Sequence, residues 1–486
     1  MSHNPASVET ITTCIENIRQ QIKECESLLI KTESVKDDIK SKLVEYTGHI
    51  QYVTLELLSA SLSGMYESYS GLLHILQTDS IYEKRYHMQL VNLCQYEWCK
   101  LFTQEESGLL TNLNKLFCDN VDFVKAIHIL LEHINELIGI CDKELRNMTA
   151  HYDKPKDMYE KLVRLDSEDD YVKRISKQMD IHKSILCISD DILNLIISHF
   201  SINKPDTEFN NSAYKINITD ISNEYIDMSI DKQAYLSTIC SSTLSDAWMN
   251  IESAKKEYYM TEQYILRLKA RDFNTDRLEY LKSVVELRWA AMFLRFDLTC
   301  CMRAYLNATT TIERSFILRR VYMIETSALT HLYGYNENRI KYSIWQKLKQ
   351  LTENKSHPLF EQLETELGQY TKSLNCEKRN VLIHFMEDKG DSANSQNNIS
   401  TRWKMFCDMN HSMELFHIYK LIVLCNHIDT YICEIINNIN LNLKQSVINS
   451  PAPLIFIRDY VEKYQALELI EQCDMMLNVL DSDKIH

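Results

Sequence analysis

Apolar positions open the chain in a regular stride: Ile11, Ile15, Ile18, Ile22, Cys25 and Leu29 follow one another in steps of four and three. That is a heptad seam, the pattern that lets one helix lie along another. It weakens after Leu29 and runs on through Val35, Ile39 and Leu43. Such a seam can serve a coiled coil between two copies of the chain, which would make a homo-oligomer. Packing on a neighbouring helix of the same chain is the simpler expectation. Helical periodicity then covers about residues 51–77, 81–102, 121–145 and 169–200, with Thr78-Asp79-Ser80 reading as a turn and N-cap. Residues 201–231 lose the pattern among Asn203, Pro205, Asp206, Asn210, Asn211 and Ser212, all loop formers; an alternating piece at Tyr214–Ile218 is a candidate strand. Helical pattern returns over about 234–269, 277–306, 311–333, 401–443 and 454–480.

Composition sharpens this picture. The 486 residues include only 8 Gly and 6 Pro, far below the usual share of about 7% and about 5%. A chain so poor in turn residues cannot make many hairpins, so the expected fold class is all-α. The formal charge of −15 argues against a protein that binds nucleic acid over its whole surface, though not against a small basic cleft. Fifteen Cys show no Cys-x2-Cys pair and no zinc-finger spacing; they read as reduced thiols in a cytosol. No apolar run approaches the length of about 18 residues that a membrane helix needs, and residues 1–10 carry no secretion signal. A cytoplasmic protein with no membrane partner is expected.

The expected organisation is an N-terminal helix (1–48), a first helical domain (49–200), a linker (201–232), a second helical domain (233–450) and a C-terminal helix (451–486). The two domains resemble each other in plan. Ser80-Ile81-Tyr82-Glu83-Lys84 matches Thr310-Thr311-Ile312-Glu313-Arg314 in position and character. Repeats of this length are too long for a solenoid and suit a duplicated domain.

Each domain also carries one phrase: Arg146-Asn147-Met148-Thr149-Ala150-His151, and Arg379-Asn380-Val381-Leu382-Ile383-His384. Each is followed by an aromatic residue, Tyr152 or Phe385. With 16 His in the chain, chance alone yields about half a match to Arg-x4-His, and requiring Asn after Arg lowers that roughly fifteenfold. Two matches, both with Asn, are not an accident of composition. The residue types suit phosphate chemistry. Arg presents a permanently charged fork to phosphate oxygens, and His can give or take a proton near neutral pH. On a regular helix a separation of five places the side chains about 140° apart, so one copy makes a poor site and two facing copies a better one.

Arg-Asn-x3-His in an all-α domain resembles the motif of the HEPN superfamily (higher eukaryotes and prokaryotes nucleotide-binding). The likeness covers the motif and roughly 150 residues around each copy. It implies a metal-independent endoribonuclease, without cofactor, in which two HEPN-like bundles form an intramolecular pseudo-dimer. Attack by the ribose 2′-OH would leave a cyclic phosphate and a free 5′-OH. By the same resemblance Arg146 and Arg379 would hold the scissile phosphate and Asn147 and Asn380 would orient the pair. His151 and His384 would be general acid and base, or one catalytic and one supporting. Tyr152 and Phe385 are expected to pack beneath the loop. Glu83 and Glu313 could each hold a motif Arg, or be solvated carboxylates on helix faces. The implied setting is a regulated toxin or anti-phage effector, with RNA as substrate and a regulatory protein or antitoxin as partner.

The competing expectation is a non-catalytic HEPN-like scaffold that binds RNA, nucleotide or protein. Other candidates are weaker. His128 and His133 do not share a helix face as zinc ligands do. His411, His417 and His427 with Cys407 and Cys425 read as a buried helix. No Walker A, G-x-G-x-x-G, G-x-S-x-G or H-E-x-x-H sequence occurs.

Overall fold

Few residues here can stop a helix, and the helices are accordingly long. The computed structural model describes residues 5–40, 46–78, 80–103, 109–141, 152, 154–165, 168–199, 230–270, 275–334, 343–351, 358–372 and 408–448. Among these residues there are thirteen α-helices and no strand, so the fold is all-α. The helices are α1 (Pro5–Lys40), α2 (Tyr46–Gln77), α3 (Ile81–Thr103), α4 (Leu109–Phe117), α5 (Val121–Ile140), α6 (Pro155–Arg164) and α7 (Glu168–His199). After these come α8 (Ile230–Lys269), α9 (Asp276–Asn307), α10 (Thr311–Leu332), α11 (Ile344–Leu351), α12 (Pro358–Lys372) and α13 (His411–Ile448).

The heptad seam is used within the chain. Ile18, Ile22, Cys25 and Leu29 are buried, and α1 lies along α2. The seam weakens after Leu29 because polar residues take it over. Lys36, fully buried, bonds Glu33 at 2.9 Å and Glu56 of α2 at 3.0 Å. A buried cation is tolerated only with such partners. The next crossing, α2 against α3, is made close by two glycines. A Cβ on Gly64 would collide with the Trp98 indole, and one on Gly71 with the Val91 side chain.

The two halves of the chain follow one plan. Helices α2 and α9 are both 32 residues long and begin at Tyr46 and Asp276, 230 positions apart. Helices α3 and α10 begin at Ile81 and Thr311, again 230 apart. Helix α1 runs beside α2 as α8 does beside α9, and α7 packs on α2 and α5 as α13 does on α9 and α12. Contacts between the halves are reciprocal. Tyr66 of α2 meets Phe316 of α10 with ring centroids 4.7 Å apart, and Tyr86 of α3 meets Phe296 of α9 at 6.4 Å. Phe296 stands 230 positions after Tyr66, and Phe316 the same distance after Tyr86. Likewise Trp248 of α8 stacks on Tyr82 in the first turn of α3 at 3.7 Å, while Thr310 at the start of α10 donates to Glu26 of α1 at 2.6 Å. One apolar cluster runs through both halves, from Ile18 to Ile436. A second cluster, at the far end of the first half, joins α2, α3, α4, α5 and α7 around Trp98, Phe102, Phe123 and Ile185.

Two helix boundaries differ from the periodicity. The run expected over 121–145 ends at Ile140, where Cys141 turns extended and its N–H bonds Leu137 and Ile138; Gly139 in the last turn weakens the helix there. The run expected from residue 401 is broken at Asp408–Asn410, after which α13 begins at His411; residues 401–407 lie outside the described residues. The candidate strand at Tyr214–Ile218 and the helix expected over 454–480 lie outside the described residues, as does most of the 201–232 linker. No helix among the described residues is long and apolar enough to cross a membrane.

Candidate functional site

Of the residues singled out in the sequence, Arg146, Asn147, His151, Arg379, Asn380, His384 and Phe385 lie outside the described residues. Glu83, Glu313 and Tyr152 are described, and all three are buried where the halves meet.

The two glutamates occupy the same place in matched helices. Each is the third residue of its helix, and its N–H bonds the hydroxyl of the residue that caps the start: Glu83 to Ser80 at 3.4 Å, Glu313 to Thr310 at 3.1 Å. This is the Ser/Thr-x-x-Glu capping sequence. The reading of either as a solvated carboxylate does not hold: Glu83 is 2% exposed and Glu313 0%. Both helix starts point into the interface. Glu83 accepts from Arg303 of α9 at 2.7 Å and from Thr78. Glu313 accepts from the Thr309 N–H at 2.8 Å.

Two histidines join them. His87 Nε2 lies 3.9 Å from Glu83, His74 Nε2 lies 4.0 Å from Glu313, and the two rings stack at 5.2 Å. Arg303, Glu83, His87, His74 and Glu313 thus line up across the junction of the halves. Arg303 and Glu83 are bonded, while the two His–Glu gaps are longer than hydrogen bonds and the Glu313 oxygen facing His74 has no hydrogen-bond partner. Burial pushes both histidines below their usual pKa, with Arg320 nearby adding to the effect, so both are neutral at pH 7. Burial also lifts the Glu313 carboxyl above its usual range against its bonds to Thr309. Burial acts on Glu83 in the same direction, but bonds with His87 and Thr78 and the charge of Arg303 outweigh it, leaving its pKa low. His74, His87 and both glutamates are each no more than 3% exposed. These four side chains are therefore interior, and the Arg303–Glu83 pair ties the halves together there.

Tyr152, the residue after His151, is fully buried, and its hydroxyl donates to Asp297 of α9. Burial lifts Asp297 to about 7 against the opposing hydrogen bond. Helix α6 begins three residues later, with Pro155 at its first position, where the missing N–H costs nothing. It is stitched to α8. Tyr159 donates to Glu252 at 2.6 Å and accepts from Lys255 at 2.7 Å; Tyr259 donates to Glu160 at 3.0 Å; Lys156 pairs with Glu262 at 3.1 Å. Lys154 is exposed.

The other histidines separate. His411 is buried between Tyr305, at 2.9 Å, and Ser315, at 3.1 Å, and burial lowers it to about 4. His427 is half exposed and meets Glu366 at 3.1 Å. Among the described residues no group of three or more His, Cys, Asp or Glu could hold a metal ion.

Sequence reasoning missed His74, His87, Arg303 and Asp297. The last had a signal: Asp297 is the lone carboxylate in the run Trp289–Cys301, which is otherwise almost wholly apolar. In comparisons with known proteins, no family model, no curated protein and no solved structure matches this chain.

Proposed function

We propose that the protein is a metal-independent endoribonuclease made of two HEPN-like helical units in one chain, with a composite site formed by the two Arg-Asn-x3-His motifs. One observation carries this reading. Arg146 and Arg379 are 233 positions apart, and the matched helices repeat at 230. Each motif therefore follows the same point of its half: α5 ends six residues before Arg146, and α12 seven before Arg379. The reciprocal contacts of Tyr66 with Phe316 and of Tyr86 with Phe296 are of the kind a two-fold interface makes, which supports a pseudo-dimer. In this reading the repeating unit includes the N-terminal helix, since α1 stands to α2 as α8 to α9.

Arg146 and Arg379 grip the phosphodiester and offset its growing negative charge. One of His151 and His384 takes the proton of the 2′-OH as it attacks phosphorus. The other protonates the departing 5′-oxygen. Asn147 and Asn380 orient the pair. Regulated cleavage in a toxin or anti-phage system follows by analogy with the superfamily.

The test is incubation of the full chain with labelled tRNA and total RNA. Fragments ending in cyclic phosphate are expected, unaffected by EDTA. His151→Ala and His384→Ala should each abolish them while far-UV circular dichroism stays helical. Unchanged cleavage in both single variants and the double would end this reading. A second reading, a non-catalytic RNA- or protein-binding scaffold, is favoured by the net charge of −15 and by Glu262, which pairs with Lys282 and with Lys156, five residues after His151. Binding without fragments would select it.

A further inference from the structure

We infer that Tyr152 and Asp297 are positioning residues, and that their hydrogen bond fixes the first motif against the second half of the molecule. The inference rests on the ribonuclease reading and extends it to residues that touch no substrate.

Between the end of α5 at Ile140 and the start of α6 at Pro155, Tyr152 is the described residue whose side chain is buried completely. It directly follows His151, so whatever fixes Tyr152 fixes one end of the motif. The ring alone would fill space. The hydroxyl adds direction, because a buried O–H left without an acceptor is costly and the acceptor it meets is Asp297, on a helix of the other half. The four bonds from α6 to α8 hold the chain beyond it in the same docked position.

The second motif cannot be held this way. The residue after His384 is Phe385, which has no hydroxyl. The position that matches Asp297, 230 residues earlier, is Glu67, and that carboxylate is paired with Arg319. The same slot on the two central helices thus serves different ends. In one half it anchors the residue next to a motif; in the other it anchors a helix. The two histidines are accordingly unequal, and the first depends on a bond that the second lacks.

The experiment compares Tyr152→Phe, Asp297→Leu and Asp297→Asn in the full chain, with His151→Ala and Tyr419→Phe alongside. Tyr152→Phe and Asp297→Leu should lower kcat about 10- to 100-fold, the cost of a small misplacement of a reacting group, with KM close to wild type and a lowered Tm in Asp297→Leu, where the buried hydroxyl loses its acceptor. Asp297→Asn still accepts from the Tyr152 hydroxyl and should retain most of kcat. Tyr419→Phe, on an exposed face of α13, should cut like wild type. Wild-type kcat in both Tyr152→Phe and Asp297→Leu, with His151→Ala inactive, overturns the positioning role and leaves the ribonuclease reading intact. Should the wild type cut no RNA, the ribonuclease reading falls and hydrogen exchange decides the anchor. Faster exchange over residues 142–152 in Tyr152→Phe and Asp297→Leu than in wild type and Asp297→Asn upholds it; equal exchange overturns it.

Discussion

Glu67 and Asp297 stand at matching positions on α2 and α9, the first buried and the second partly so, yet they are satisfied in opposite ways. Glu67 takes a charged donor, Arg319, from the second half. Asp297 takes a neutral one, Tyr152, from the first. A permanent cation holds a carboxylate in its ionised form, whereas a phenol hydroxyl leaves burial to dominate, and Asp297 is lifted to about 7. Two copies of one plan have therefore kept a carboxyl at the slot and changed its chemistry. The glycine crossing shows the same divergence in packing. Gly64 faces Trp98 in the first half, where the second half has Leu294 and Ala328 at the matching positions. Bulk has moved from one helix to the other.

The largest expected effect comes from removing the charged donor. Arg319→Ala should cost about 3–5 kcal/mol, the usual penalty for taking one partner from a buried ion pair. Urea unfolding reads this directly, and Glu67→Leu with Arg319→Met should recover most of the loss. Recovery would show that the pair can be replaced by packing; no loss in Arg319→Ala would show that the slot is not buried as described.

A smaller effect tests the packing contrast. Gly64→Leu alone should overpack the crossing and cost about 1–3 kcal/mol. Adding Trp98→Ala transplants the second half's pair of residues into the first, and should leave the double variant more stable than the sum of the singles. Strict additivity would show that the two crossings are not alternatives.

The last effect is a slope. Asp297 keeps its proton in the folded protein up to about pH 7, while the unfolded residue loses it near pH 4. The folded state thus binds more protons between those values, and stability falls as pH rises through that window, then levels above it. The Tm of Asp297→Asn relative to wild type should rise from pH 4 to pH 7 and stay flat beyond. A constant difference would mean that Asp297 is ionised throughout.

Much of the helical frame was readable because so few residues here can interrupt a helix. Thr78-Asp79-Ser80 and Thr311-Ile312-Glu313-Arg314 marked two helix starts, and the Ser80 and Thr310 hydroxyls cap them by accepting from the N–H of Glu83 and Glu313. The short helices were harder. Pro155 reads as a stop, but at the first position of a helix it is a start, and α6 begins there. The heptad seam told that α1 packs along something, and α2 lies closer in sequence than any second copy. The histidine pair could not be read at all. His74 and His87 meet because α2 packs on α3, and only the docking of the second half sets Glu313 and Arg303 beside them. Arg303 is hidden for the same reason, since its partner Glu83 lies 220 residues away. Of the candidate site, Tyr152 was expected to pack under its loop, and its tie to Asp297 depends on the tertiary arrangement.

That separation of 220 residues has a meaning during synthesis. At about 5–20 residues per second, the ribosome needs roughly ten to forty seconds after making Glu83 before Arg303 exists to meet it. Throughout that wait the nascent first half must present the surface that will later be covered. Among the aromatic rings of that surface stand a glutamate and two histidines, which water can solvate in the meantime. The polar composition that looks wasteful in the finished interior suits an unfinished polypeptide, which must stay free of aggregation until its counterpart emerges.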